Sequence, residues 1–320
     1  MAAEKVRRQP PVKTVKSNQL ILHCPLCPGD ILTMTAAIEA LHTQYHGQYL
    51  TDVDTPCNAI FENNPNITQL HGQGERVSME YTDSINQSNQ VNLHFIEGYT
   101  RFLAGYLGIT LTPLNRPYLY VSDQEKSWIN QVEEETGYKG PYWALCCQGK
   151  EDYTVKHYVY EYVQDVIDHY RGVIQFVQVG RKEHNHKPHE GVINFIGKTD
   201  DRQLIRLCYN SAGGLGLESY LHHLYAGFEK PFVCISSGMT ARSWQAYNTE
   251  KYLTSLSNLP CCKNGGCWKK KIVKTNGEQC CEYPVFNVGI EPVAKCMSMI
   301  KPEEIIQAID SYYLGGRLSY

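Results

Sequence analysis

The chain has 320 residues, 42% of them hydrophobic and 20% charged, and a formal net charge of −3. That composition builds an ordinary globular core over roughly two domains of about 150 residues each, and so balanced a charge excludes a generally basic nucleic-acid or membrane-surface protein. The opening MAAEKVRRQPPVKTVKSNQ is basic and has no apolar signal core, and no run approaches the roughly 20 apolar residues of a spanning helix, so a cytoplasmic setting is expected.

Residues 1–18 read as a flexible arm. QLILHCPL (Gln19–Leu26) is a buried strand, CPGD a tight loop, and ILTMTAAIEALHTQY a helix with Ile31, Met34, Ile38, Leu41 and Tyr45 on one face. Asp30 sits where an N-cap is expected. Strand, glycine loop and helix together open a βαβ unit. Ala59 to Leu70 gives a short helix, a turn at Asn64-Pro65 and a strand, and Asn92–Ile109 gives a helix. Arg116–Gly137 reads as a strand, then a helix capped by Ser122 or Asp123 and closed by Gly137.

A second alternating series starts at PYWALCCQGK, with further strands at VIQFVQVG, GVINFIGKT and KPFVCISSG. Helices are expected in YVQDVIDHYRG and DDRQLIRLCYNSA, and GGLGLESYLHHLYAGF reads as a turn followed by a helix. KPEEIIQAIDSYYLGG (Lys301–Gly316) is a final amphipathic helix. The fold class is therefore α/β: two Rossmann-like, doubly wound domains, one over residues 19–140 and one over 141–300, with a cysteine-rich insertion at 258–296. A ligand is expected in the cleft at the carboxyl ends of the strands.

Six motifs, in order, carry a resemblance. CPGDILTMTAAIEALHTQYHG and FENNPNITQL are similar to the opening of the bacterial ADP-heptose:lipopolysaccharide heptosyltransferases, glycosyltransferase family 9. QGKEDYTVKHY, FIGKTDDRQLIRLCYNSAG, LESYLHHLYAGF and VCISSGMTARSWQAY resemble, in turn, its phosphate-binding lysine segment, its G-K-T strand–helix, its D-T-G loop–helix and its G-x-T-x-P-x-x-W region. The resemblance implies a GT-B fold with an acceptor-side first domain and a nucleotide-sugar-binding second domain. It implies that residues 301–320 form a helix packing back on the first domain. It further implies inverting transfer of a sugar, heptose or related, from a nucleotide donor that is ADP-linked. This chain departs from the family at Ala36, at Glu218-Ser219-Tyr220 in place of D-T-G, and at Ser237-Gly238-Met239 in place of G-P-T. The acceptor is open between a glycan, a protein side chain and a modified DNA base, and a homo-oligomer is compatible with the sequence. A non-catalytic nucleotide-sugar-binding or assembly protein of the same fold is the alternative.

Glycosyl transfer needs a base for the acceptor hydroxyl and groups that take up charge on the leaving diphosphate. Asp30, beside Gly29, is the candidate base; as a bare position it reads equally as a helix cap. Lys156, with the Thr154 hydroxyl beside it, is the candidate diphosphate clamp, or else a solvated surface lysine. Ser219, Tyr220 and Leu221 open a helix whose N–H groups suit phosphate. Glu218 is placed for ribose or sugar hydroxyls, and Gly180 and Lys198 end strands whose loops frame a nucleobase. His222 and His223 read as packed or surface side chains, and EHNHKPH as a polar loop.

Cysteines recur at Cys261, Cys262, Cys267, Cys280, Cys281 and Cys296. One from each pair, with Cys267 and Cys296, supplies the four ligands of a tetrahedral sulfur site for structural Zn or Fe, and Gly265-Gly266 lets a knuckle wrap an ion. Heptosyltransferases of the family that modify autotransporters carry a comparable four-cysteine finger. Reduced thiols or disulfides are the competing readings.

Overall fold

The structure, a computed structural model, describes residues 17–82, 90–184, 186–273, 280–314 and 317–318. The expected N-terminal arm therefore lies almost wholly outside the described residues. In the first domain β1 (Gln19–His23) runs into α1 (Pro28–Gln44), then β2 (Leu50–Asp54), β3 (Glu75–Ser78) and α2 (Phe95–Leu107). The three strands form a parallel sheet of order β2-β1-β3. Helix α1 starts one turn earlier than its apolar pattern: Cys27 is the cap and Pro28 opens the first turn, so Asp30 is a first-turn residue and not the N-cap.

The strand expected from Arg116 is absent. The segment crosses α1 instead, where the Tyr118 N–H donates to Thr35 Oγ1 at 2.8 Å and Tyr120 Oη to Glu39 Oε2 at 2.7 Å. With its backbone donor used by a side chain, Tyr118 is not available to a sheet ladder. Two short helices follow, α3 (Asp123–Ser127), capped by Ser122, and α4 (Gln131–Thr136), closed by Gly137 in the left-handed region.

The second domain holds β4 (Tyr142–Cys146), α5 (Tyr160–His169), β5 (Gln175–Gly180), β6 (Ile193–Ile196), α6 (Asp201–Asn210), β7 (Gly213–Leu217), α7 (Tyr220–Gly227), β8 (Phe232–Ser236), α8 (Arg242–Gln245) and β9 (Glu250–Thr254). All six strands are parallel, in the order β6-β5-β4-β7-β8-β9, the doubly wound arrangement whose direction of growth reverses between β4 and β7. Alternate residues serve opposite faces: Tyr142 and Ala144 pack toward α6 and α7, while Trp143 and Leu145 pack toward α5 and the C-terminus.

GGLGL, expected as a turn, is the strand β7 at the centre of this sheet. Its glycines answer a packing demand. A Cβ on Gly213 would lie 2.5 Å from the Trp143 ring, one on Gly214 2.7 Å from the Tyr225 ring, and one on Gly216 2.7 Å from the Cys146 carbonyl oxygen. Large rings on neighbouring elements occupy the space that side chains on β7 would fill.

The last helix, α10 (Pro302–Asp310), follows the short pair β10 (Pro284–Val285) and β11 (Val293–Ala294) and the turn α9 (Lys295–Ser298). It does not return to the first domain. Ile305, Ala308 and Ile309 are buried with Val163, Ile167, Val233 and Ile235 in the second domain's core, and Tyr313 accepts a hydrogen bond from Trp143 Nε1 at 2.8 Å. Among the described residues no helix is long and apolar enough to cross a membrane.

The domains share one apolar core, running from Leu22 and Ile38 to Leu224 and Phe232. Arg202 on α6 clamps the far side: its guanidinium meets both carboxylate oxygens of Glu125 at 2.7 Å and donates to the carbonyls of Ala59 and Tyr120. The Arg202 hydrogen bonds hold the Glu125 carboxyl at about 2, against an ordinary 4.5. A depressed carboxyl stabilises the fold above its ordinary value and loses that contribution as pH falls toward the folded value. Arg202→Ala should cost about 3–5 kcal/mol at neutral pH, read by urea unfolding, and the gap to wild type should narrow between pH 4.5 and 2. An equal gap at every pH would contradict the clamp.

Candidate active site

At the switch point, the chain leaving β4 and the chain leaving β7 face one another, with the N-terminus of α1 opposite. Lys156 ends a short 3₁₀ segment, Glu151–Lys156, that is kinked at Tyr153 and follows β4. Its ammonium donates to the Glu218 carbonyl at 3.1 Å and sits 3.9 Å from Glu218 Oε2. The Glu218 side chain is 1% exposed. Oε1 accepts from Ser236, Thr240 and Tyr252, whereas Oε2 has no hydrogen-bond partner. A buried carboxylate with one oxygen saturated and the other open toward a lysine is suited to receive a ligand hydroxyl.

Asp30 projects from the first turn of α1 and accepts from Tyr81 Oη at 2.5 Å. Burial pushes its carboxyl up, while the Tyr81 hydrogen bond and the nearby Lys156 charge pull it down; burial wins, and the group is a stronger base than a solvated aspartate. Gly29 makes no room for a ligand. It lets α1 approach α7, since a Cβ there would lie 3.2 Å from His223 Cδ2 and 3.7 Å from the Tyr220 Cα. Ser219 caps α7 with no side-chain hydrogen bond, so the first-turn N–H groups of Tyr220 and Leu221 lack intrahelical acceptors. The Tyr220 ring and Leu221 pack into the core shared by the domains, so the bulky residue that replaces glycine in the resemblance lies in that seam.

The other expected residues lie elsewhere. Thr154 Oγ1 accepts from the Ile272 N–H at 3.0 Å, which ties the Lys156 turn to the cysteine segment. Gly180 is roofed by His186, whose ring would be 2.4 Å from an added Cβ, and its carbonyl accepts from the Gly197 N–H. Lys198 turns outward, 3.8 Å from Glu135. Two residues at the cleft escaped the sequence reading. Tyr81 stands in a polar stretch with no helix or strand pattern, and Lys150, which donates to Cys27 Sγ at 3.0 Å across the domains, lies in the motif from which Lys156 was chosen.

No cysteine is in a disulfide. Cys261, Cys262, Cys267, Cys281 and Cys296 line one cavity, whereas Cys280 Sγ turns to the Val273 carbonyl. Gly238 marks its floor: an added Cβ would lie 3.0 Å from Cys262 Sγ and 3.6 Å from Cys296 Cβ, and the Cys267 N–H donates to the Gly238 carbonyl at 3.0 Å. Burial, with a lesser push from the thiols of Cys281, Cys267 and Cys262, raises Cys296 to about 12. The segment is bonded to the Lys156 turn by the Val155 N–H to the Lys270 carbonyl and by Lys271 to the Glu151 carbonyl.

No family model matches the chain, and no curated protein matches it by sequence. Solved structures share its fold. The Escherichia coli ADP-heptose lps heptosyltransferase II is 14% identical over 92% of this chain and 98% of its own, with a TM-score of 0.58. A glycosyl transferase family 9 protein from Veillonella parvula is 14% identical over 92% and 96%, at 0.62. The iron-containing dodecameric glycosyltransferase TibC from enterotoxigenic E. coli is 16% identical over 93% and 76%, at 0.65. The chain thus has the GT-B arrangement of two facing Rossmann-like domains.

Tyr81→Phe should raise the Asp30 carboxyl further, because it removes the strongest influence that lowers it and leaves burial in place. A carboxyl ¹³C titration reads the change; an unchanged or lower value would show that the Tyr81 contact does not govern Asp30.

Proposed function

We propose that the chain is an inverting glycosyltransferase that moves a sugar, heptose or related, from a nucleoside diphosphate to a hydroxyl acceptor. The observation that carries this is the nearness of Asp30, on the first domain, to the Lys156 charge, which lies against Glu218 at the switch point of the second. The diphosphate sits against Lys156 and the first-turn N–H groups of α7, and the open oxygen of Glu218 accepts from a ribose or sugar hydroxyl. Asp30 takes the proton of the acceptor hydroxyl as its oxygen attacks the anomeric carbon. The bond from that carbon to the diphosphate oxygen breaks on the opposite face, and Lys156 stabilises the charge gathering there. ADP as the nucleotide is supported by the ADP-heptose named for the E. coli neighbour.

The same proposal places one Zn or Fe between Cys262, Cys267, Cys281 and Cys296, supported by their shared cavity and by the iron of TibC. Four protein sulfurs leave no open position, so the ion is structural. It holds the segment that supports the Lys156 turn through Thr154 and Val155. Self-association, as in dodecameric TibC, belongs to this reading.

Asp30→Asn should keep donor affinity and lose turnover by ~10²–10⁴-fold, and Lys156→Ala should weaken binding of a nucleoside diphosphate more than of the free nucleoside. Unchanged turnover in the Asp30 variant would overturn the assignment of the base. Cys267→Ser should release one metal equivalent, read by elemental analysis, and lower the melting temperature, since a broken sulfur site gives up folding free energy. Full metal content in that variant would remove Cys267 from the ligand set.

A further inference from the structure

We propose that His222, Cys234 and Glu250 form a second metal site, buried under α7 and taking a zinc-class divalent cation. Strand register brings the donors together. Phe232 pairs with Glu250 and Cys234 with Tyr252, so Cys234 and Glu250 lie on one face of adjacent strands. Helix α7 crosses that face and lowers His222 onto it, its ring centroid 5.8 Å from that of Phe232. One donor atom from each of the three lies within 4.8 Å of the other two. The His222 and Glu250 side chains are 0% and 2% exposed.

Hydrogen bonding does not account for the arrangement. Glu250 Oε1 accepts from the Tyr247 N–H at 2.6 Å, but Oε2 has no hydrogen-bond partner, and neither does either nitrogen of His222. Nε2 and Oε2 approach to 2.5 Å without the alignment a hydrogen bond requires. The nearby hydroxyls are engaged elsewhere, Tyr247 with His223 and Tyr252 with Glu218. An imidazole and a carboxylate pressed together without hydrogen-bond alignment, with the Cys234 thiol beside them in a dry core, match what a cation needs and what a folded interior otherwise avoids. Imidazole, thiolate and carboxylate together suit a borderline ion such as Zn²⁺. Ligands of one tetrahedral ion with bonds of about 2 Å stand about 3.3 Å apart, so His222 and Glu250 need separate by under about 1 Å.

This site is not the cysteine cavity. Cys234 faces the α7 side of the sheet, whereas Val233 and Ile235 face the side that packs with Cys262 and Cys296. An ion here would join α7, β8 and β9 and fix the helix whose N-terminus borders Glu218. The proposal does not depend on glycosyl transfer.

Metal-stripped full-length protein titrated with Co²⁺ should take two equivalents. Cys234→Ala and Glu250→Gln should each take one, with the intense thiolate–cobalt absorption of the four-sulfur site retained. A single equivalent in wild type that both variants keep would overturn the proposal and leave His222 and Glu250 sharing a proton. Loss of a lone equivalent in both variants would uphold it and instead remove the metal from the cysteine cavity. Zinc K-edge absorption of the wild type covers the case in which the variants fail to fold: nitrogen or oxygen neighbours beside sulfur support the site, and a sulfur-only shell refutes it.

Discussion

The close approach of α1 to α7 sets the rest of the molecule. Gly29 lies against His223 and Tyr220 because it has no Cβ, and farther along Ala36 meets Ala226 in the same seam. Small residues on both helices let the domains share one core in place of two cores facing water. That seam carries the N-terminus of α1, and with it Asp30, to the switch point of the second sheet. A side chain at Gly29 would push the helices apart and move Asp30 away from the Lys156 charge.

Around that seam the structure concentrates charge where water is scarce. Glu218 is buried with one oxygen held by three hydroxyls and the other turned to Lys156. Asp30 is held by Tyr81 and raised by burial. Charges kept in a low-dielectric cleft act more strongly on a ligand than the same charges in solvent, provided they are held in place. Here the holding is distributed: Arg202 clamps the domains, the cysteine segment supports the Lys156 turn, and the sheet supports α7.

The large rings of the second domain explain its least typical strand. Trp143, Tyr225 and Phe232 fill the layers beside β7, so β7 is built of glycine and leucine. Only at Leu215 and Leu217 does this strand add side chains to the core, on the face shared with Trp143 and Leu145.

Local pattern was enough for much of this. The apolar runs at Gln19 and Gln175, the period of α1, the stop at Gly137 and the alternation of strands and helices all rest on interactions within a few residues, and the sequence determined them. It also determined which residue types were on hand for chemistry, Asp30, Lys156, Glu218 and the cysteines among them. Tertiary structure alone decided that GGLGL is a central strand, because its reason lies in rings up to 70 positions away. It decided that the segment after Arg116 crosses a helix, that α10 stays on the second domain, and that Thr154 serves the cysteine segment. His222 read as an ordinary helix histidine until strand register set Cys234 and Glu250 beside it. Periodicity reports which face of an element is apolar; what that face meets depends on contacts between residues far apart in the chain, which no local pattern records.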